Sequence, residues 1–311
     1  MFKIAKYFFL ATLWAALYPT CAFATSSPTI MVSIKPFYNI CARVMQSVGT
    51  PKLLLTKNAS PHDYQLKPSD AKLIDSSDLI IWGGPELEGY LQKPISSLAN
   101  RNLDLATVPG LTLLPIRASN NWESHDHTHD HNHDHSHAHM VNDPHFWLDP
   151  DNAIIIATAI ANRLAEIDPE HAQIYKANAT EFSKEINKDK SLWKKQLATY
   201  KNKPYIVSHD AYQYFNKYFA LDGVGAISLH PEIPPSVQRI QQIQALLIAE
   251  QVSCIFSEPQ FNYKIIDSLI AGTKVHKGQL DPLGQDKDIG PQGYFVLMQN
   301  LVQNFVTCNK S

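Results

Sequence analysis

The sequence lacks three features that would assign it to common classes of protein. It has no dense cluster of Lys or Arg, and its net charge at pH 7 is −2, which argues against nucleic acid or an anionic surface as partner. It has no HExxH motif, the signature of one class of metal hydrolases. Beyond the first 24 residues, no apolar run reaches the ~20 residues needed to cross a membrane. With 311 residues, 44% of them hydrophobic, the chain can bury two domain cores.

The N-terminus has the pattern of a secretory signal. Lys3 and Lys6 precede an apolar run over 7–18, and residues 22–24 (Ala-Phe-Ala) offer a cleavage site with small residues. We predict a signal peptide over 1–24. An uncleaved anchor helix is an alternative, although the apolar run is shorter than a membrane span. We expect the mature protein to be soluble in an oxidising compartment, the periplasm.

Cysteine is scarce, with four copies in the chain. Cys21 lies in the signal; lipid modification there is a further alternative, although the preceding Tyr-Pro-Thr is a poor context. The three that remain cannot all pair, so one must stay free or pair outside the chain. Cys254 lies in a predicted strand and Cys308 in the last helix. We predict a Cys254–Cys308 bridge, worth roughly 4 kcal/mol in the chain-entropy model, with Cys41 buried and reduced.

Short apolar runs alternate with helical periodicity in both halves of the chain. In the first half, strand-like segments include 30–34 and one near Thr112–Ile116, and in the second half the same rhythm resumes at 205–208. This β-then-α alternation predicts parallel sheets covered by helices. We therefore predict an α/β protein with two parallel-sheet lobes, spanning 25–167 and 203–311.

A long helix is predicted between the lobes, over 168–202. Asp168-Pro169 is a typical helix start, and no helix breaker follows until about Tyr200. Its apolar stripe is spaced by threes, fours and sevens and consists of Tyr175, Ala179, Phe182, Ile186, Trp193, Leu197 and Tyr200. At 1.5 Å per residue this helix would be about 48 Å long, which suits a rigid connection between two lobes.

Four candidate metal ligands follow predicted strands. In open parallel sheets, ligands bind in the crevice beyond the carboxyl ends of the strands. His62 and His145 occupy such positions in the first lobe, and His209 and Asp281 do so in the second. We therefore predict a metal site in the cleft between the lobes.

The predicted ligand set suits Zn²⁺. Zinc favours tetrahedral coordination by imidazole with a carboxylate or water, whereas Ca²⁺ and Mg²⁺ prefer oxygen ligands. Imidazoles also bind Cu²⁺, Ni²⁺ and Co²⁺, so the residues alone leave those metals open.

Five motifs resemble, in order, the cluster A-I metal-binding proteins of ABC importers. They lie at 60–70 (SPHDYQLKPSD), 144–150 (PHFWLDP), 208–212 (SHDAY), 258–261 (EPQF) and 280–284 (LDPLG). The resemblance runs from about Ile30 to the C-terminus. It implies two α/β lobes bridged by a long helix, a metal site in the cleft, and delivery to the membrane subunits of an ABC permease. It also supports the predicted disulfide.

Within that family the third motif separates metals, because manganese-binding members usually have glutamate where this chain has His209. The resemblance thus favours the zinc-specific branch. Some zinc-binding members carry an acidic residue just before the first ligand, and here Pro61 takes that position. The fourth ligand is therefore Asp281 or water, since Asp281 could instead cap the turn that follows it.

Eight of the 14 histidines fall in one short segment. The run over 124–139 mixes histidine with small polar and acidic residues and has too little apolar surface to fold. We predict a loop that binds Zn²⁺ weakly and raises its concentration near the cleft, although simple solvation is an alternative. The predicted weak ligands are His125, His127, His129, His131, His133, His135, His137 and His139.

The leading interpretation is a periplasmic, high-affinity zinc-binding protein, not an enzyme, that delivers one tightly held Zn²⁺ to an ABC permease. A manganese-binding or other metal-binding member of the same family is the first alternative, and a secreted zinc hydrolase is the second. His230 is the candidate replacement should one of the three histidines fail. We expect a monomer, with other periplasmic zinc chaperones as further candidate partners.

Overall fold

The computed structural model describes residues 27–56, 59–119, 121–122, 141–229, 233–261, 264–286 and 288–310. The predicted signal peptide, the histidine-rich run and His230 lie outside these ranges. Among the described residues, no helix has both the length and the apolar character needed to cross a membrane.

The first lobe is built on a four-stranded parallel sheet. Its strands are β1 (Ile30–Val32), β2 (Lys52–Leu53), β3 (Leu79–Trp82) and β4 (Asn102–Asp104), in the order β2-β1-β3-β4. The helices of this lobe are α1 (Lys35–Val44), α2 (Pro68–Asp75) and α3 (Gly89–Ile95). The sheet confirms the predicted parallel architecture.

The strand predicted near Thr112–Ile116 is wrong. This segment forms only an isolated antiparallel bridge, Pro115 with Asn142, and does not join the sheet. Two of its amides bond to side chains: Thr112 N–H donates to Asn152 Oδ1 (2.8 Å), and Leu114 N–H donates to the Tyr214 hydroxyl (2.9 Å). The fourth strand of the sheet is β4, a polar segment with no apolar run to reveal it.

The second lobe repeats the same sheet order. Its strands are β5 (Tyr205–His209), β6 (Gly223–Ser228), β7 (Cys254–Ser257) and β8 (His276–Gln279), parallel and ordered β6-β5-β7-β8. Its helices are α6 (Gln213–Phe219), α7 (Val237–Ala249), α8 (Lys264–Ile270) and α9 (Gly293–Lys310). β5 in this sheet occupies the place of β1 in the first.

Two long helices lie between the sheets along the chain. α4 (Pro150–Ile167) begins at Asp149, whose side chain accepts a hydrogen bond from the Asp151 backbone amide. α5 (Ala172–Leu197) joins the lobes; its 26 residues correspond to about 39 Å. Single 3₁₀ turns, at Pro169–His171 and Ala198–Tyr200, flank it. The regular helix is therefore shorter than the predicted 168–202, and the lobe limits of 25–167 and 203–311 stay predictions.

One hydrophobic core runs through both lobes. The buried residues of α5 are six of the seven in the predicted stripe, and α5 packs against α1, α4 and α9. Alternate strand residues face this shared core, as Val32 does in β1 and Val207 in β5. Their neighbours Met31 and Ile206 face separate cores on the outer side of each sheet. Because the two sheets pack on this shared core, the carboxyl ends of their strands are held on facing sides of the cleft.

A disulfide joins Cys254 in β7 to Cys308 in α9, with a Cα–Cα distance of 6.1 Å. It attaches the last helix to the sheet of the second lobe. Cys41 is buried and unbridged. The predicted pairing is confirmed.

Candidate metal centre

His62 lies in the loop between β2 and α2. Its backbone amide donates to Ser60 Oγ (3.2 Å). The far end of the loop is held by Asp70 in the first turn of α2, whose Oδ2 accepts hydrogen bonds from the Tyr64 hydroxyl and the Lys67 amide, both at 2.8 Å. The His62 side chain is partly exposed, so this imidazole faces the mouth of the cleft.

His145 is buried, with 4% of its surface exposed, and a neighbouring carboxylate orients it. Asp143 Oδ1 accepts the His145 backbone amide (3.0 Å) and lies 2.8 Å from His145 Nδ1. The Tyr214 hydroxyl donates to the Asp143 carbonyl (2.8 Å) and holds this short segment in place. A proton on Nδ1, which the Asp143 contact favours, leaves the Nε2 lone pair for a metal.

His209 is the last residue of the central strand β5 and is 3% exposed. Its Nδ1 lies 3.4 and 3.5 Å from the two carboxylate oxygens of Glu258, which directly follows β7. Ser208 Oγ donates to Glu258 Oε1 at 3.4 Å. The paired strands β5 and β7 thus place a ligand and a supporting carboxylate side by side.

The three imidazoles converge on one point. The ring centroid of His145 lies 5.3 Å from that of His62 and 5.0 Å from that of His209, and the other pair is 5.2 Å apart. One ligand nitrogen from each residue lies within 4.8 Å of the others. Nitrogens bound to one tetrahedral Zn²⁺ lie roughly 3.3 Å apart, so small ring movements suffice to bind an ion.

Burial sets the charge state of this group. Burial, and next the neighbouring His209, hold the pKa of His145 well below its usual value. Burial also raises the pKa of Asp143 and of Glu258. Because only neutral imidazole coordinates a metal, the lowered pKa of His145 reduces competition from protons at neutral pH.

The structure does not bring Asp281 into the group of three histidines. Asp281 Oδ1 accepts hydrogen bonds from the Leu283 amide (3.0 Å) and the Gln260 side chain (2.6 Å). Its Oδ2 accepts the Gln285 amide (2.6 Å). Asp281 therefore caps the turn that follows β8, the second role that the sequence left open for it.

Two cavities reach all three histidines. One is lined mainly by apolar and aromatic side chains, among them Trp147, Phe261, Pro282 and Leu283, with Ser60, Glu258 and Gln260 as its polar members. The other is lined by charged side chains, namely Glu86, Arg117, Asp143 and Asp210, together with Ile116, Pro144 and Leu229. The three histidines thus border a mainly apolar cavity and a more charged one, which we call the charged opening.

Two α/β lobes, each with a parallel sheet, joined by a helix and bringing three histidines together, have the architecture of a two-lobed metal-binding protein. Residues 30–308 match the family described as ZnuA, zinc-uptake complex component A, periplasmic, and the chain belongs to this family.

Relatives with this description are similar over nearly their whole length. The High-affinity zinc uptake system protein ZnuA of Brucella abortus (strain 2308) is 40% identical, covering 96% of this chain and 97% of the relative. A solved structure entitled "Crystal structure of ZnuA" superposes with a TM-score of 0.76 at 24% identity, covering 91% of this chain and 99% of that one. A laminin-binding adhesin (Lmb) of Streptococcus agalactiae, solved as a mutant, gives 0.75 at 23% identity, with 90% and 99% covered. At these identities the two solved structures show the fold alone.

Sequence reasoning did not identify the groups that support the ligands. Asp143 stands two residues before His145 and could have been suspected from that spacing. Glu258 belongs to one of the five motifs that resemble the family, but the sequence suggested no role for this residue. Arg117, at the charged opening, gave no signal in the sequence, because its contacts come from distant segments.

Proposed function

We propose that this chain captures Zn²⁺ in the periplasm and delivers it to the membrane permease of an ABC importer. The observation that carries the proposal is the convergence of His62, His145 and His209 on one buried point between the lobes. Membership of the zinc-uptake family supports the transport role, and the High-affinity zinc uptake name of the similar Brucella abortus protein supports the metal. The family's role in transport also supports a binding protein over an enzyme.

We infer that the three imidazoles are the protein ligands and that water completes the coordination. The three hydrogen bonds that Asp281 accepts hold its carboxylate in its own turn and favour water as the fourth ligand. A set of three imidazoles favours zinc over manganese, because Mn²⁺ is better served by carboxylate and carbonyl oxygens.

The histidine-rich run over 124–139 serves, in this proposal, as a weak collector of Zn²⁺. The described residues on either side of it support this role, since Trp122 and Val141 both lie near the charged opening: Trp122 packs on Arg117, and Val141 accepts the Ile116 amide (3.0 Å). The permease is the main partner, and periplasmic zinc chaperones are further candidates. A monomer suffices, because one chain supplies all three imidazoles.

Calorimetric titration of the mature chain with Zn²⁺, Mn²⁺ and Cu²⁺ tests the proposal. We expect one tight Zn²⁺ site, additional weak Zn²⁺ binding, and much weaker Mn²⁺ binding. Deleting 124–139 should remove the weak binding and keep the tight site. Loss of the tight site in the deletion variant would show that the run supplies primary ligands, and tight Mn²⁺ binding would contradict the zinc assignment.

A further inference from the structure

A segment of the first lobe crosses the cleft and attaches to the second. We name the described residues 111–119 and 121–122 the strap. Asn121 forms an antiparallel bridge with Gly225 in β6, the edge strand of the second sheet, and the Trp122 amide donates to the Val224 carbonyl (3.0 Å). Arg239 of α7 donates to Asn121 Oδ1 (2.6 Å). The end of the strap is therefore fixed to the second lobe.

Arg117 lies in the middle of the strap and pairs with Asp210, the residue after the ligand His209. Its guanidinium carbon lies 3.8 Å from the centroid of the Trp122 ring, which supports it from one face. The Asp210 side chain is 8% exposed and that of Arg117 is 21% exposed. An ion pair this sheltered, with its cation stacked on an aromatic ring, holds one geometry better than an exposed pair.

This ion pair stands at the charged opening to the three histidines, where Arg117, Asp210, Glu86 and Asp143 all line the wall. Other polar contacts join the lobes at and near the mainly apolar cavity. Trp147 Nε1 donates to the Pro282 carbonyl (2.9 Å), and Lys35 Nζ donates to the carbonyls of Gly284 (3.2 Å) and Gln285 (2.7 Å). The charged opening is the more polar of these two routes to the histidines, and it passes Arg117.

A guanidinium cation in the path of Zn²⁺ opposes its passage, while the surrounding carboxylates attract it. We propose that Arg117 is a gate residue: its ion pair with Asp210 closes the path between solvent and the three imidazoles and sets the rate of metal exchange. Opening requires the guanidinium to leave Asp210, which frees a carboxylate toward the passing ion. Arg117 is not among the ligands, so it acts on rates more than on affinity. The inference rests on the proposed zinc-binding function.

Stopped-flow release of Zn²⁺ from the loaded mature protein into excess chelating dye tests the gate. We expect Arg117→Ala to raise the release rate about tenfold, the effect of a barrier lowered by about 1.4 kcal/mol, with the dissociation constant changed less than about threefold. Arg43→Ala is the matched control, because Arg43 pairs with Glu185 far from the opening, and its release rate should equal that of the wild type. Trp122→Ala, which removes the supporting ring, should raise the rate by a smaller factor.

The absorption spectrum of Co²⁺-substituted protein separates gating from damage to the ligands. An unchanged spectrum together with faster release supports the gate, whereas an altered spectrum would show displaced ligands and overturn it. Wild-type release rates in both Arg117→Ala and Trp122→Ala would also overturn the gate, and leave the zinc-binding function standing. A wild-type protein without a tight Zn²⁺ site would instead overturn the proposed function, and the gate with it.

Discussion

The two lobes share one sheet order but support the histidines that we propose as metal ligands differently. In the second lobe, His209 ends the central strand β5, so the sheet itself fixes the position of its backbone. In the first lobe, His62 and His145 come from loops. The loop ligand His145 has the shorter carboxylate contact, 2.8 Å to Asp143, against 3.4 Å from His209 to Glu258. A ligand without a strand beneath it needs stronger side-chain support to hold its orientation.

Substituting one ligand from each lobe tests whether both lobes are needed, and it should give the largest effect. We expect His145→Ala and His209→Ala each to weaken Zn²⁺ binding by more than about 100-fold, because removing a ligand costs more than removing its support. Competition titration against a chelator of known affinity measures the loss.

The control for this pair is His276→Ala, since His276 is exposed on β8 and lies outside the group of three. Its affinity should equal that of the wild type. A tight site that survives either ligand substitution would mean that one lobe binds the metal alone.

The sequence predicted those strands of the two lobes that consist of continuous apolar runs. The strand predicted around Cys254 is present as Cys254–Ser257, because three buried residues stand in a row after the polar Ser253. β6 was missed, since its two glycines weaken the strand pattern, and β4 was missed because it is polar. The apolar residues near Thr112–Ile116 misled because they belong to the strap, which forms one isolated bridge with Asn142 and bonds to the Asn152 side chain without joining the sheet.

The sequence predicted those residues of the candidate site that follow the ends of strands. Strand positions and family motifs together predicted the three histidines that the structure brings together. They could not separate the two roles of Asp281, since a carboxylate after a strand can face the cleft or cap its own turn. The supporting contacts of Asp143 and Glu258 depend on side-chain directions, which a single sequence does not encode in any periodic pattern.

Removing the charge of each supporting carboxylate sharpens the comparison and should have an intermediate effect. We expect Asp143→Asn to weaken Zn²⁺ binding about tenfold, within the range typical of groups that orient metal ligands, and Glu258→Gln to weaken it less. The reason is the shorter carboxylate contact of His145 and its position in a loop, where no strand fixes the backbone. Chelator competition gives the affinities, and the Co²⁺ spectrum reports on ligand orientation. Equal losses in the two variants, or a larger loss for Glu258→Gln, would contradict the difference in support that we infer between the lobes.

Each lobe also buries a glutamate beyond the ends of its central strands, and only one of the two lies beside a metal ligand. In the first lobe, Glu88 is fully buried, and its Oε2 accepts the Gly83 amide at the end of β3 (2.6 Å). Burial raises the pKa of Glu88 to about 8; the Ser33 hydroxyl and the Gly83 amide act against this shift, and the nearby Asp104 adds to it. Glu88 thus parallels Glu258 in position without contacting a histidine.

The Glu88 prediction has the smallest expected effect on zinc binding, because its raised pKa predicts a pH dependence of stability instead. Between the ordinary carboxyl pKa of 4.5 and about 8, the folded state keeps a proton that the unfolded state releases, so this group makes stability fall as pH rises through that window. Glu88→Gln removes the titrating group, and its melting temperature in metal-free protein should fall less than that of the wild type between pH 5 and pH 8. We expect the two decreases to differ by up to about 10 °C, since a window of about three pH units corresponds to at most about 4 kcal/mol, and 1 kcal/mol to about 2–4 °C in a chain of this size class. Glu181 is exposed, so the Glu181→Gln variant should show the same pH dependence as the wild type. If Glu88→Gln also matched the wild type, Glu88 would be ionised in the folded protein, and burial would not keep it protonated.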